Sequence, residues 1–355
     1  MTSSPTEQNT RRLWPKLLLS LLIGGLFAWM VVRGGVPIVP SAESFENVRW
    51  WTIPAYLLTL LVTHFFRASR WRFLIRPVKR IRFKEVIALN WIGFFAIFAL
   101  PLRLGELARP ALTKIREDVP VSVGIGTIAV ERVLDGLIMS LCVAWALFAL
   151  PMLPTDDPVA RALPFYGYTA LTVFSGALVA LAAFLWQREL ATALTGKLLG
   201  IVSPKLGHMI ASKVDSVAEG IRSMGSARLS ALFLVETILY WGSNAAGMWL
   251  LAWGCGIPMD FGHAVAIMGV LAIGILLPTG PGLFGNFQLA IVVGLRLYFP
   301  EAVVESAGAV YIFWLYVTQS LFIIAVGMVP LYMMKIRFSD LLRVEPSPVE
   351  GGPEA

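Results

Sequence analysis

The chain has 355 residues, of which 57% are apolar and 14% are charged, and its mean hydropathy is +0.74. Soluble globular domains do not have this composition. Apolar stretches near the length of a bilayer crossing recur along the chain and lack the alternation of a β-barrel, which predicts an all-α polytopic membrane protein. The net charge of +7 does not indicate nucleic-acid binding, because the basic residues flank the apolar stretches.

Six stretches have the length of a full span, at about 14–32, 50–66, 121–150, 165–186, 229–253 and 308–334. The first fits a membrane helix better than a cleaved signal peptide, because its apolar core is too long for one. Two further stretches, about 85–118 and 263–300, are apolar but interrupted by proline and glycine. Whether these two cross the membrane has to be decided from charge.

The connection 67–84 holds eight basic residues and no acidic one, which predicts a cytoplasmic position in the cell (inner) membrane. The two termini are predicted on the same side. The connections 33–49, 151–164, 254–262 and 300–307 are poor in Lys and Arg and are predicted outside. Each interrupted stretch must then return to the face it came from, giving two re-entrant hairpins in a pseudo-inverted arrangement. The alternative is that both stretches cross fully, which would place Lys114 and Arg116 outside.

These predictions describe a single integral membrane domain over residues 1–340 and a disordered cytoplasmic tail over 341–355. Within the domain, the segment 187–228 has helical apolar spacing with basic residues opposite. It is predicted to be either an amphipathic helix on the cytoplasmic surface or a plain connector packed under the bundle. The basic run 67–84 either binds anionic lipid head groups or only sets the topology.

The two interrupted stretches share one pattern, an apolar run followed by proline, a nearby glycine and a resumed helix. Opposed broken helices indicate a site near the membrane midplane in transporters, since their free ends attract ions. The alternative is two kinked helices without a ligand. The predicted hairpin and gating residues are Pro101, Gly105, Pro110, Pro278, Gly280, Pro281, Gly282, Gly285 and Gln288.

Charged residues concentrate in the first interrupted stretch and in the span that follows it. They are Arg103, Glu106, Arg109, Glu131, Arg132 and Asp135. Each charge facing lipid would cost about 2.5–3.5 kcal/mol, so these groups are expected to face one another and a polar cavity. The alternative is a closed ion-pair cluster with a purely structural role. Glu236, Tyr240 and Asn244 form a polar stripe at i, i+4 and i+8, which either lines the cavity or bonds between helices.

The residues that form P-x-x-x-G-E-x-x-R-P and S-x-x-x-G-x-x-x-x-E-R-x-x-D resemble the lysylphosphatidylglycerol synthase transmembrane-region family, or flippase-like domain proteins. They are Pro101, Gly105, Glu106, Arg109 and Pro110, then Ser122, Gly126, Glu131, Arg132 and Asp135. The resemblance covers about residues 50–335 and implies movement of a modified phospholipid between leaflets. The aminoacyl transferase domain of longer members is not expected, because the chain ends soon after its last span. Gln288 stands where the second motif usually has a glutamate.

The first functional hypothesis is therefore lipid transport of the flippase type. Phosphate would be held by Arg103, Arg109 and Arg132, while Glu106, Glu131 and Asp135 would position these arginines and could also recognise an amine. The expected partners are anionic or zwitterionic phospholipids, a separate lipid-modifying enzyme and a second copy of the chain. The alternatives are a scaffold for such an enzyme, or an intramembrane enzyme with a carboxylate base. No enzymatic activity, catalytic residue, metal or cofactor is expected.

Overall fold

The structure of the protein is a computed structural model that describes residues 5–100, 105–154, 158–186, 227–275 and 280–336. These residues form helices and no strand. The helices are α1 (Pro5–Arg33), α2 (Thr52–Ser69), α3 (Trp71–Ile75), α4 (Phe83–Ala99), α5 (Ala108–Glu117), α6 (Val121–Ala149), α7 (Pro158–Trp186), α8 (Ala227–Gly254), α9 (Phe261–Gly274), α10 (Asn286–Arg296) and α11 (Glu301–Met333). The predicted segment 187–228 lies outside the described residues except at its last two positions, and the predicted tail 341–355 lies wholly outside them.

The outer surface of the bundle is apolar along several helices. Leu22 of α1, Ile238 of α8 and Leu321 of α11 are each more than 60% exposed, and Phe148 of α6 is 91% exposed. Such a continuous apolar surface is typical of contact with lipid. By length and hydropathy, Val121–Ala149 and Glu301–Met333 qualify as membrane spans among the described helices, and Leu17–Arg33 and Phe261–Gly274 are shorter apolar helices. Helices also occupy the other four predicted spans, whose crossing stays a prediction.

Each interrupted stretch folds into two short helices that pack against each other. We call α4, the segment 100–107 and α5 the first hairpin, and α9, the segment 275–285 and α10 the second hairpin. In the first, α5 ends at Glu117, because Asp118 adopts a left-handed conformation with φ 49°. In the second, Asp260 caps the start of α9 together with His263. Between the paired helices, α4 ends at Ala99 and α5 begins at Ala108, and α9 ends at Gly274 and α10 begins at Asn286. Each predicted break therefore separates two helices.

The two hairpins open toward opposite ends of the bundle. The base of the first lies beside the start of α6, where Val86, Val119 and Val123 share one apolar cluster. The base of the second lies beside the end of α6, since a Cβ added to Gly262 would come within 3.5 Å of Trp145 and Leu150 side-chain atoms. We call the end that holds Val86 the basic end, because the connection between α3 and α4 is there.

The two hairpins contact each other through Phe98 of the first and Gly282 of the second. Gly282 has φ 70°, and a Cβ placed on it would lie 3.2 Å from Cζ of Phe98 in α4. Tyr316 of α11 donates its hydroxyl to the Gly282 carbonyl at 3.1 Å. Gly280 and Gly285 also pack closely on α1. A Cβ on Gly280 would lie 2.9 Å from the Ser20 carbonyl oxygen, and one on Gly285 would lie 2.1 Å from the Gly24 carbonyl oxygen. The glycines of the second hairpin therefore serve close backbone packing.

Replacing Gly105 by alanine is expected to destabilise the protein, because the new Cβ would lie 2.1 Å from the Ala96 carbonyl of α4. Relieving such an overlap typically costs about 1–3 kcal/mol, which should lower the melting temperature in detergent. Gly242→Ala is the matched control, since no atom lies within 4 Å of its Cβ position. Equal melting temperatures for the two variants would contradict this account of the first hairpin.

Candidate functional site

A cavity of about 330 Å³ lies between the two hairpins and is lined by residues from both. Glu106 comes from the first hairpin, and Met268, Leu283 and Phe287 come from the second. Among the described residues, the polar part of the wall consists of Thr63, His64, Arg67, Glu106, Arg132, Asp135, Tyr240, Trp241, Asn244 and Gln319. The other described lining residues are apolar. The cavity therefore has a charged side and an apolar side, as expected of a pocket for an amphipathic molecule.

The carboxylate of Asp135 in this wall accepts three hydrogen bonds from two side chains. Arg70 from the end of α2 donates to both of its carboxylate oxygens, at 2.6 Å and 2.7 Å, and Trp241 adds a hydrogen bond at 3.1 Å. Thr237 accepts a further bond from Arg70 at 3.1 Å. Arg132 lies farther away, with its Nη2 atom 3.6 Å from Asp135 Oδ2. The buried bidentate pair joins α2, α6 and α8 at one point.

Arg109 and Glu131 form a second buried pair, which ties the first hairpin to α6. Arg109 Nη2 contacts Glu131 Oε2, and Arg109 Nη1 donates to Asn90 of α4 at 2.5 Å. The guanidinium also lies 5.1 Å from the ring of Trp71. Both charged residues are at most 5% exposed, and neither lines the central cavity. The pair therefore has the geometry of the structural cluster rather than that of a ligand site.

Small residues make room for this pair. A Cβ on Gly93 of α4 would lie 3.0 Å from Arg109 Cβ, and one on Gly124 of α6 would lie 2.9 Å from Pro110 Cβ. Pro110 is in the first turn of α5, where a missing backbone N–H is tolerated. The Arg-Pro dipeptide is thus held between two glycines on neighbouring helices.

The polar stripe of α8 divides between two roles. Tyr240 and Asn244 line the cavity, as one prediction had it. Glu236 instead accepts a hydrogen bond from Arg72 at 2.7 Å, which is the interhelical alternative. In the second hairpin, the Gln288 side-chain oxygen accepts the Gly285 backbone N–H at 2.8 Å and so caps α10. Pro101, Arg103 and Pro278 lie outside the described residues. Pro281 begins the short 3₁₀ turn that contains Gly282.

Sequence reasoning missed Arg67 and Arg70, which it assigned to the cytoplasmic connection 67–84. The predicted span ended at residue 66, but α2 continues to Ser69. Leu60, Thr63, His64 and Arg67 lie on one helical face and all line the cavity. The spacing of three and four residues was the signal available in the sequence. It places Arg67, the first residue of the basic run, on the same face of α2 as the preceding cavity residues.

The comparisons with known proteins yield one finding. A family model described as the lysylphosphatidylglycerol synthase TM region matches residues 17–327. No curated protein and no solved structure matches the chain. The matched region contains both hairpins, the described cavity wall and the two buried ion pairs.

Glu131→Gln is expected to lower the free energy of unfolding by about 3–5 kcal/mol, because it leaves the buried Arg109 charge without its counterion. Denaturant titration in detergent micelles would measure the loss. The double variant Arg109→Met with Glu131→Leu should be more stable than Glu131→Gln alone, since it removes both charges. Lys114→Ala, at a solvent-exposed ion pair with Asp118, is the control and should leave stability nearly unchanged. A loss from Glu131→Gln no larger than that of the control would refute the structural role.

Proposed function

The chain belongs to the lysylphosphatidylglycerol synthase TM region family, and from that premise we propose that it moves a phospholipid, or a related lipid, between membrane leaflets. The observation that carries the proposal is the central cavity. It is lined by both hairpins, it is charged on one side and apolar on the other, and its volume of about 330 Å³ suits a lipid head group.

We propose that the hairpins are re-entrant and enter the membrane from opposite faces, together with six full spans. Their bases lie at opposite ends of the bundle and their tips meet at Phe98 and Gly282, which is the arrangement expected of two half-helices meeting near the midplane. Irregular backbone at such a depth is tolerated when protein surrounds it. The close packing of Gly280 and Gly285 against α1 supplies that cover.

The charge distribution supports cytoplasmic termini in the inner membrane. Basic residues crowd the end of the bundle where α3 and α4 connect, and Arg72, Arg76, Lys79 and Arg80 line a groove there. The opposite end, near the starts of α9 and α11, carries Asp260, Glu301 and Glu305. Because cytoplasmic ends are richer in Lys and Arg, the basic end is assigned to the cytoplasm.

In this proposal, the lipid head group passes through the cavity while its acyl chains stay in contact with the apolar outer surface. The contact between Phe98 and Gly282 would open to admit the lipid to the cavity from one leaflet at a time. The carboxylate of Asp135 is engaged by Arg70, which favours a binding role over a general-base role. The lipid would be supplied by the membrane or by a separate lipid-modifying enzyme.

Single cysteines should report the hairpin topology in a Cys142→Ala, Cys255→Ala background. Lys84→Cys and Lys114→Cys, at the two ends of the first hairpin, are expected to react with an impermeant maleimide only in inside-out vesicles. Asp260→Cys and Glu301→Cys, at the ends of the second, should react only in right-side-out vesicles. Labelling of Lys84→Cys and Lys114→Cys from different sides would mean that the first hairpin crosses fully.

Lipid exchange can be measured with fluorescent phospholipids in proteoliposomes, by following their accessibility to an impermeant quencher. Wild-type protein should accelerate exchange, and Ala272→Trp should reduce it by about tenfold or more, because the indole fills part of the cavity. Ala325→Trp places the same side chain on the exposed surface of α11 and should leave exchange unchanged. Failure of wild-type protein to accelerate exchange of any phospholipid would exclude translocation.

A further inference from the structure

We propose that Arg67 binds the phosphate of the transported lipid, and that the site therefore prefers an anionic phospholipid to a zwitterionic one. This inference rests on the proposed function and identifies the class of substrate. Arg67 lies in the last turn of α2, in the wall of the central cavity. It is absent from the two motifs that carry the family resemblance.

Arg67 is held between aromatic rings from two other helices. Its Cζ atom lies 3.9 Å from the ring centroid of Phe94 in α4 and 5.7 Å from that of Tyr240 in α8. Cation–π contacts of this kind fix the position of a guanidinium. They do not accept its N–H groups in hydrogen bonds of ordinary strength, so the donors stay available to whatever enters the cavity.

Within the described part of the chain, Arg67 makes no ion pair and no side-chain hydrogen bond, and its buried Nε atom has no partner. The neighbouring arginines differ. Arg70 binds Asp135 through two bonds, and Arg72 binds Glu236 at 2.7 Å. Three arginines from one short run therefore have three different environments, and the one in the cavity is the one without a counterion.

An unpaired guanidinium in this position is costly, because arginine stays charged at any accessible pH and its Nε atom is buried without a hydrogen-bond partner among the described residues. Among the described residues at this site, the guanidiniums of Arg67, Arg70 and Arg132 meet the carboxylates of Glu106 and Asp135. A bound anion would supply the missing negative charge. Phosphate is the anion that lipids carry, and a guanidinium matches it through two parallel hydrogen bonds.

His64 provides a second unpartnered polar group at the same place. It lies one helical turn before Arg67, is 2% exposed and lines the cavity, and its Nδ1 atom has no hydrogen-bond partner among the described residues. A neutral imidazole protonated at Nδ1 would donate to a phosphate oxygen beside Arg67. Two buried nitrogen atoms on one face of α2, His64 Nδ1 and Arg67 Nε, thus lack partners within the described part of the chain.

The charges of the described wall favour an anionic head group over a zwitterionic one. Asp135 already accepts hydrogen bonds from Arg70 and Trp241, whereas Arg67 has no counterion among the described residues. The phosphate of a zwitterionic lipid arrives with its own ammonium as a counterion, so it gains less from Arg67 than the phosphate of an anionic lipid does. Thr63, Asn244 and Gln319 also line the wall and can bond to hydroxyl groups of the head group.

The test measures the binding of short-chain lipids to the full-length protein in detergent. Binding is detected as a rise in the melting temperature of the protein. Wild-type protein should bind dihexanoyl phosphatidylglycerol at least about tenfold more tightly than dihexanoyl phosphatidylethanolamine. Arg67→Gln should abolish this preference, and Arg67→Lys should retain part of it because it keeps the charge. Arg76→Gln removes a cation from the groove at the basic end, outside the cavity wall, and should retain the full preference.

Equal affinity of wild-type protein for the two lipids would overturn the inference, and this measurement needs no variant to fold. An unchanged preference in folded Arg67→Gln would overturn it as well. Inorganic phosphate alone should not stabilise the protein as phosphatidylglycerol does, and equal stabilisation would mean that the site takes free phosphate. Lipid exchange without any head-group preference would contradict the inference about Arg67 but support the proposed function. Arg67-dependent binding without lipid exchange would support the inference about binding and exclude translocation.

Discussion

Charge buried in an apolar bundle has to be neutralised, and in the described part of the chain two buried ion pairs do this. Arg109–Glu131 joins the first hairpin to α6, and Arg70–Asp135 joins α2 to α6 and α8. Both acidic partners come from α6, four residues apart, on one face of that helix. The long span α6 is therefore the element against which the interrupted hairpin and the end of α2 are aligned.

Glycine carries the second constraint, because broken helices need backbone contacts where side chains would not fit. In the first hairpin, Gly105 packs on the Ala96 carbonyl. In the second, Gly285 adopts φ 83° and contacts the backbone of α1, and Gln288 fixes this turn through its own backbone hydrogen bond. A glutamate at this position could accept the same bond. The side-chain oxygen of Gln288 thus meets the local structural need without the charge that a carboxylate would add beside apolar neighbours.

The sequence predicted the helical class, the helices at the expected spans and the positions of both breaks, because proline, glycine and long apolar runs act locally. It predicted that charges on α6 would find charged partners, but it could not identify all of them. Arg70 lies 65 residues before Asp135, and only the folded bundle brings the two together. The basic run was interpreted as one cytoplasmic connection. In the structure, α2 continues to Ser69, Arg67 lines the cavity and Arg70 is fully buried.

The same distinction separates structural from ligand-binding charge. Motif residues were the natural candidates for holding a phosphate, yet Arg109 is enclosed by Glu131 and Asn90 and has little capacity left for a ligand. A buried guanidinium that already has a carboxylate gains little from a second anion, whereas one held only by aromatic rings gains a counterion. Pairing within the protein, rather than membership of a motif, therefore decides which arginine is available, and in the described cavity wall this argument selects Arg67.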